Sequence, residues 1–123
     1  MKQRASGFTL IELIAVILIL GILAVTAAPQ FLDLSSSART AAVTGVAGAL
    51  SSASSMNYAR RSLSTTDGVP VANCTAVAGA LAGGALPSGY TITAATVTPA
   101  GTSVVCTVNG PNGVTAPFVA LAI

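Results

Sequence analysis

GFTLIELIAVILILGILAVTAAPQF, residues 7–31, is the stretch that decides the fold. Its residues 8–28 are nearly all apolar, and Glu12 is the only charged residue among them. These 21 residues would rise about 31 Å as an α-helix, which matches the roughly 30 Å hydrocarbon core of a bilayer. The stretch therefore predicts a membrane-spanning helix, with Lys2 and Arg4 on the cytoplasmic side by the positive-inside rule.

The same stretch, GFTLIELIAVILILGILA followed by Pro29, resembles the N-terminus of type IV prepilins and their relatives, which prepilin peptidase cleaves. The resemblance is to type IVa major pilins above all. It implies that residues 1–7 are a leader peptide, cleaved between Gly7 and Phe8 on the cytoplasmic side, and that Phe8 is then N-methylated. Residues 8–28 would remain as the transmembrane and assembly half of a long helix.

Glu12 needs a partner, because an ionised side chain inside a bilayer costs a few kcal/mol and is normally retained for a function. The resemblance implies that Glu12 neutralises the new amino terminus of a neighbouring subunit during assembly. A unit charge pair at about 4 Å is worth about 4 kcal/mol at an effective dielectric constant of 20. A carboxylate also favours the N-terminus of its own helix, so the sequence leaves an intramolecular role open.

Gly21 and Pro29 bracket the weakest part of this helix, because proline removes a backbone donor. The resemblance implies that both are assembly residues and that the segment between them loses helicity in the filament. A simple kink in an intact helix is the alternative for an isolated subunit.

An ordinary secretory signal is the alternative for the whole N-terminus, since Val25-Thr26-Ala27 offers a small-residue cleavage site. Signal peptides have apolar regions of about 7–15 residues, however, and a glutamate inside that region has no explanation. The prediction therefore favours the pilin-type leader.

Composition argues against catalysis. The chain has 123 residues, a mean hydropathy of +0.83, 7% charged residues and no histidine or tryptophan. Loss of residues 1–7 would lower the side-chain charge from +2 to 0, leaving three arginines against three acids: Arg39, Arg60, Arg61, Glu12, Asp33 and Asp67. General bases, Schiff-base lysines and metal ligands are nearly all missing, so we predict no enzyme activity, no cofactor and no metal site.

Cys74 and Cys106 lie beyond the apolar segment, on the side of an oxidising compartment if the leader stays inside the cell. We expect them to form a disulfide that stabilises the fold by roughly 3–4 kcal/mol. Two free thiols are the alternative, and the spacing excludes a CxxC redox or zinc motif.

Residues 29–63 are predicted to continue the helix as the half that packs on a head domain. Apolar residues recur there at intervals of three or four positions, with one interval of seven: Val43, Val46, Leu50, Ala53, Met56 and Leu63. The head, residues 64–123, is predicted to contain a short helix over 73–81 and three antiparallel strands. The strands are predicted over 90–97, 103–108 and 114–123, the last two as a hairpin around 109–113.

Pro117 cannot donate to a ladder, so the last strand is predicted at a sheet edge or with that position facing solvent. The fold class is α+β: a long N-terminal helix and a small antiparallel sheet, the lollipop shape that the resemblance implies.

The resemblance implies a structural subunit of an extracellular type IV pilus that polymerises with itself through its apolar helix, for adhesion, twitching motility or DNA uptake. Its other partners would be prepilin peptidase and an assembly platform in the inner membrane of a bacterium, which it would cross once before assembly. The alternatives are a type II secretion pseudopilin, a minor pilin and a DNA-binding pilin with three arginines on phosphates. Major pseudopilins resemble proteins with a calcium-binding head that lacks a disulfide. The predicted head of this chain has a single acid, Asp67, and two cysteines, which disfavours that alternative.

Overall fold

The computed structural model describes residues 7–123, and the side chains of all of these except residues 32 and 33. Residues 1–6 of the predicted leader lie outside the described residues. The elements in chain order are α1 (Leu10–Leu63), a 3₁₀ helix (Cys74–Ala80), β1 (Thr91–Ile92), β2 (Ser103–Asn109), a short 3₁₀ helix (Pro111–Gly113) and β3 (Thr115–Leu121). The predicted fold class, one long N-terminal helix with a small antiparallel sheet, is confirmed.

The chain divides into two compact units, Met1–Ser36 and Ser37–Ile123. In the described part of the first unit, almost all residues belong to α1 and are exposed. The second unit contains the rest of α1, the sheet and one hydrophobic core. The sheet has the order β1-β2-β3 with antiparallel pairs throughout.

The buried face of α1 in the second unit differs from the predicted apolar stripe. Its buried residues are spaced by four and three positions, which places them on one helix face: Val43, Ala47, Leu50, Ser54 and Asn57. Met56 and Leu63, two members of the apolar repeat that predicts the helix, are 58% and 91% exposed. Two polar residues occupy core positions instead, because their side chains hydrogen-bond the backbone of the head.

Serine hydroxyls of α1 cover the outer edge of β3. Val119 N–H donates to Ser51 Oγ at 3.1 Å, and Leu121 N–H donates to Ser54 Oγ at 2.8 Å. These N–H groups therefore point away from β2, and Pro117 occupies the same alternating position on the strand. The predicted edge position of the proline-containing strand is confirmed, and its missing donor falls on the outer side of the sheet.

Replacing Ser54 with alanine is expected to lower the free energy of unfolding by about 1–3 kcal/mol, because the N–H of Leu121 loses its acceptor beside a fully buried position. The matched control is Ser55→Ala. The Ser55 hydroxyl is exposed and donates only to Ser51 O within the helix, so its loss should change stability by less than about 0.5 kcal/mol. Urea unfolding followed by circular dichroism measures both, and equal effects would contradict the edge-capping role.

Asn57 fixes the loop that follows α1. Its Nδ2 donates to Val69 O at 2.7 Å, and its Oδ1 accepts from Val69 N at 2.7 Å. Gly68 adopts a φ of +80°, and a Cβ there would collide with the side chain of Asn57. Glycine is therefore required at position 68 both for its conformation and for this close approach.

The predicted hairpin is confirmed, whereas the first predicted strand is mostly wrong. β2 pairs with β3 from Ser103↔Leu121 to Asn109↔Thr115. β1 has only two residues, because residues 95–97 pair with residues 72–74 instead of continuing along β2. Cys74 N–H donates to Ala95 O and Val97 N–H donates to Ala72 O, each at 2.9 Å.

The predicted short helix over 73–81 is the 3₁₀ helix Cys74–Ala80, and the Asn73 side chain caps it by accepting from Thr75 N–H. Cys74, at its start, forms the expected disulfide with Cys106 in the middle of β2. The two Cα atoms are 5.8 Å apart, and both residues are buried in the hydrophobic core. The disulfide therefore joins the helical segment of the head directly to the sheet.

Candidate assembly segment

The described part of the first unit presents a continuous apolar surface. Its large exposed hydrophobic residues are Phe8, Leu10, Ile11, Leu13, Ile14, Val16, Ile17, Leu18, Ile19, Leu20, Ile22, Leu23, Val25, Phe31 and Leu34. Removing apolar surface from water contributes roughly 25 cal/mol of favourable free energy per Å². A helix with this much exposed apolar surface is therefore more stable in contact with lipid or with other apolar helices than in water. By length and composition, this part of α1 is able to cross a membrane.

Glu12 and Thr9 cap the start of α1 reciprocally. Thr9 N–H and Thr9 Oγ1 each donate to Glu12 Oε2 at 2.8 Å, and Glu12 N–H donates to Thr9 Oγ1 at 3.3 Å. This arrangement is a capping box, which satisfies N–H groups that the first helical turn leaves unpaired. It explains why α1 begins at Leu10 rather than at Phe8. The intramolecular role that the sequence left open for Glu12 is therefore present.

Thr9 is absent from the predicted site, although Thr9-Leu10-Ile11-Glu12 fits the T-x-x-E pattern of a capping box. Two of the three hydrogen bonds engage Oε2 of Glu12, the third is donated by its backbone N–H, and none engages Oε1. The carboxylate is consequently held in one orientation at the exposed start of the helix, with an oxygen that these bonds do not use.

Gly7 and Phe8 precede the helix and have no regular secondary structure. Phe8 is 94% exposed, and none of the described residues has an atom within 4 Å of where a Cβ of Gly7 would stand. Exposed segments with small residues are the preferred sites of proteolysis. The geometry is thus compatible with cleavage between these residues, which stays a prediction.

Gly21 and Pro29 both lie inside α1, which runs without interruption between them. Pro29 has no N–H, so the carbonyl of Val25 lacks its usual helical donor. A Cβ at Gly21 would have no neighbour within 4 Å, so nothing inside the described chain requires glycine there. The intact helix is the state of this isolated subunit, and loss of helicity on assembly stays a prediction.

The three arginines proposed for phosphate binding do not form one patch. Arg39 precedes Arg60 by 21 residues on α1, a distance of about 32 Å along the helix. Arg60 and Arg61 occupy the last turn, where cations interact favourably with the helix dipole. Among the described residues, no group of three His, Cys, Asp or Glu side chains could hold a metal ion.

Comparison with known proteins supports the resemblance of the N-terminus to that of type IV prepilins. Residues 2–28 match the prokaryotic N-terminal methylation motif. Over 51 residues, the chain is 53% identical to the type IV narrow pilus major component PilA5 of Thermus thermophilus, a match that covers 42% of this chain and 44% of that protein. The chain therefore spans less than half the length of this relative. No solved structure matches the chain significantly.

Proposed function

We propose that this chain, whose N-terminal segment matches the methylation motif and resembles a type IV pilus major component, is a structural subunit of an extracellular type IV pilus. Type IV pilins are structural subunits rather than enzymes, and as a pilin this chain would assemble with itself into a filament after processing by prepilin peptidase. The observation that carries the proposal is the methylation motif on an apolar helix whose large side chains are exposed.

In this proposal, the subunit first crosses the bacterial inner membrane once through residues 8–28. Prepilin peptidase cleaves between Gly7 and Phe8, and Phe8 is N-methylated. The inner-membrane assembly platform then transfers the helix from lipid into the filament. Both environments cover the same apolar surface, so the transfer exposes little of it to water.

Glu12 directs this transfer by pairing with the Phe8 amino group of a neighbouring subunit. The capping box supports this role because it orients the carboxylate through Oε2 before the neighbour arrives. A pre-oriented charge loses less conformational freedom on pairing, which strengthens the interaction. Gly21 and Pro29 supply the weaker helical segment that adapts to packing in the filament.

The filament would serve adhesion, twitching motility or DNA uptake through its polymerisation and retraction. The disulfide in the head and its single acid, Asp67, favour a pilin over a calcium-binding pseudopilin. Direct DNA binding is the weaker candidate because the arginines are spread along α1, and nucleic-acid binding draws on several phosphate contacts.

Immunogold electron microscopy tests the proposal. Cells lacking the gene should have no filaments of this type, and cells complemented with the full-length chain should bear filaments labelled along their length by antibody against residues 64–123. Sparse labelling would instead indicate a minor pilin. Label confined to the cell envelope would indicate a pseudopilin and contradict the proposed function.

A further inference from the structure

The hairpin between β2 and β3 contains two asparagine–glycine pairs, Asn109-Gly110 and Asn112-Gly113. In such a pair the glycine nitrogen is able to attack the asparagine side-chain carbonyl, since glycine has no Cβ to hinder the approach. The reaction depends on local freedom of both residues. The two pairs in this hairpin differ sharply in that respect.

Asn109 and Gly110 are held in place. Asn109 pairs with Thr91 and Thr115 in the sheet, and its Nδ2 donates to Thr93 Oγ1 at 3.0 Å. The N–H of Gly110 donates to Val114 O at 2.8 Å, so the attacking nitrogen is already engaged.

Gly110 is also tightly enclosed. A Cβ at this position would collide with the side chain of Val43 and lie 3.2 Å from Tyr90 Cε1. Attack by Gly110 therefore requires the end of the hairpin to separate from α1 and from β1.

Asn112 and Gly113 are in the opposite situation. Both are exposed at the tip of the hairpin, and no atom of the described part of the chain lies within 4 Å of where a Cβ of Gly113 would stand. Asn112 has a φ of +58°, in the left-handed region, and its side chain makes no hydrogen bond within the described part of the chain. Changes at this tip need only local opening, which is the least costly kind of motion in a folded protein.

We propose that Asn112 is a site of spontaneous deamidation in the folded protein, whereas Asn109 is protected. The backbone nitrogen of Gly113 bonds to Cγ of Asn112, and the side-chain nitrogen leaves as ammonia with the proton from Gly113. Water then opens the succinimide at either carbonyl carbon, which gives aspartate or isoaspartate at position 112.

The modification changes the charge of the surface. After leader removal, the side chains carry three positive and three negative charges, so each converted Asn112 gives its subunit a net charge of −1. Aspartate tolerates the left-handed conformation as asparagine does, and the hairpin should persist. Isoaspartate lengthens the main chain of the turn by one carbon, and the exposed tip has room for it.

Peptide mapping tests the proposal. The oxidised full-length chain in detergent is incubated in mildly alkaline buffer, then reduced and cut at aromatic residues, which places both asparagines in the peptide between Tyr90 and Phe118. Fragmentation in the mass spectrometer locates the conversion. We expect Asn112 to convert at least about tenfold faster than Asn109, because conversion at Asn109 requires the sheet to open.

The same chain, reduced and unfolded in urea, is the control, and there both asparagines should convert at similar rates. Asn112→Asp supplies the reference for charge and chromatographic mobility. Equal rates at the two positions in the folded chain would overturn the proposal. It would also be overturned if folded Asn112 stayed intact while the unfolded chain converted.

Discussion

Replacing Cys74 and Cys106 together with serine is expected to lower the free energy of unfolding by about 3–4 kcal/mol, since the disulfide spans 32 residues and restricts the unfolded chain accordingly. Both residues are buried, so two hydroxyls in the core add to the loss. Urea unfolding of the full-length chain in detergent, followed by tyrosine fluorescence, measures the change. Reduced wild-type protein should unfold at a similarly low urea concentration.

Val105→Ser is the matched control for this pair of substitutions. Val105 adjoins Cys106 on β2 but is 69% exposed, so the same kind of substitution should change stability by less than about 0.5 kcal/mol. A double-serine variant as stable as the oxidised protein would show that the core of the second unit does not depend on the disulfide.

Replacing Glu12 with glutamine is expected to reduce the amount of surface filament by about 10- to 100-fold, because a charge-assisted hydrogen bond is worth about 1.5–3 kcal/mol. Glutamine retains an oxygen that accepts from Thr9 N–H, so the capping box survives while the charge is lost. Immunoblots of sheared filaments, normalised to total subunit, measure the effect.

Thr9→Val separates the two roles of Glu12. Valine keeps the branched shape but removes the hydroxyl that accepts from Glu12 N–H and donates to its carboxylate. Loss of this cap should cost about 1 kcal/mol in helix stability and leave the charge in place, so filaments should persist. If Thr9→Val abolished filaments as fully as Glu12→Gln, the essential role of Glu12 would be capping rather than pairing between subunits.

The elements predicted correctly from sequence are those whose signal is local. Composition alone identifies the apolar half of α1, and a glycine-rich turn between β-branched runs identifies the β2–β3 hairpin. The disulfide is predicted from the presence of only two cysteines, both beyond the apolar segment. The capping box was equally local, in the Thr9 to Glu12 pattern, and was still missed.

The remaining features depend on partners that are distant in sequence. Ser54 and Asn57 hold core positions because they bind the backbone at Leu121 and Val69. A hydropathy pattern favours burial of Met56 over burial of Ser54 or Asn57, because hydropathy takes no account of a side chain that hydrogen-bonds distant backbone. Residues 90–97 have the alternation of a strand, but alternation does not specify the neighbour, and residues 95–97 pair with residues 72–74 instead of with β2.

In the proposed pathway the leader is removed, and the apolar helix is retained and becomes buried in a filament. The most direct test is the intact mass of protein sheared gently from cells and kept unreduced. We predict a chain that begins at N-methylated Phe8 and is lighter by two hydrogens than its reduced form. A chain that begins after Ala27, without the apolar helix, would contradict this account and identify an ordinary secreted protein.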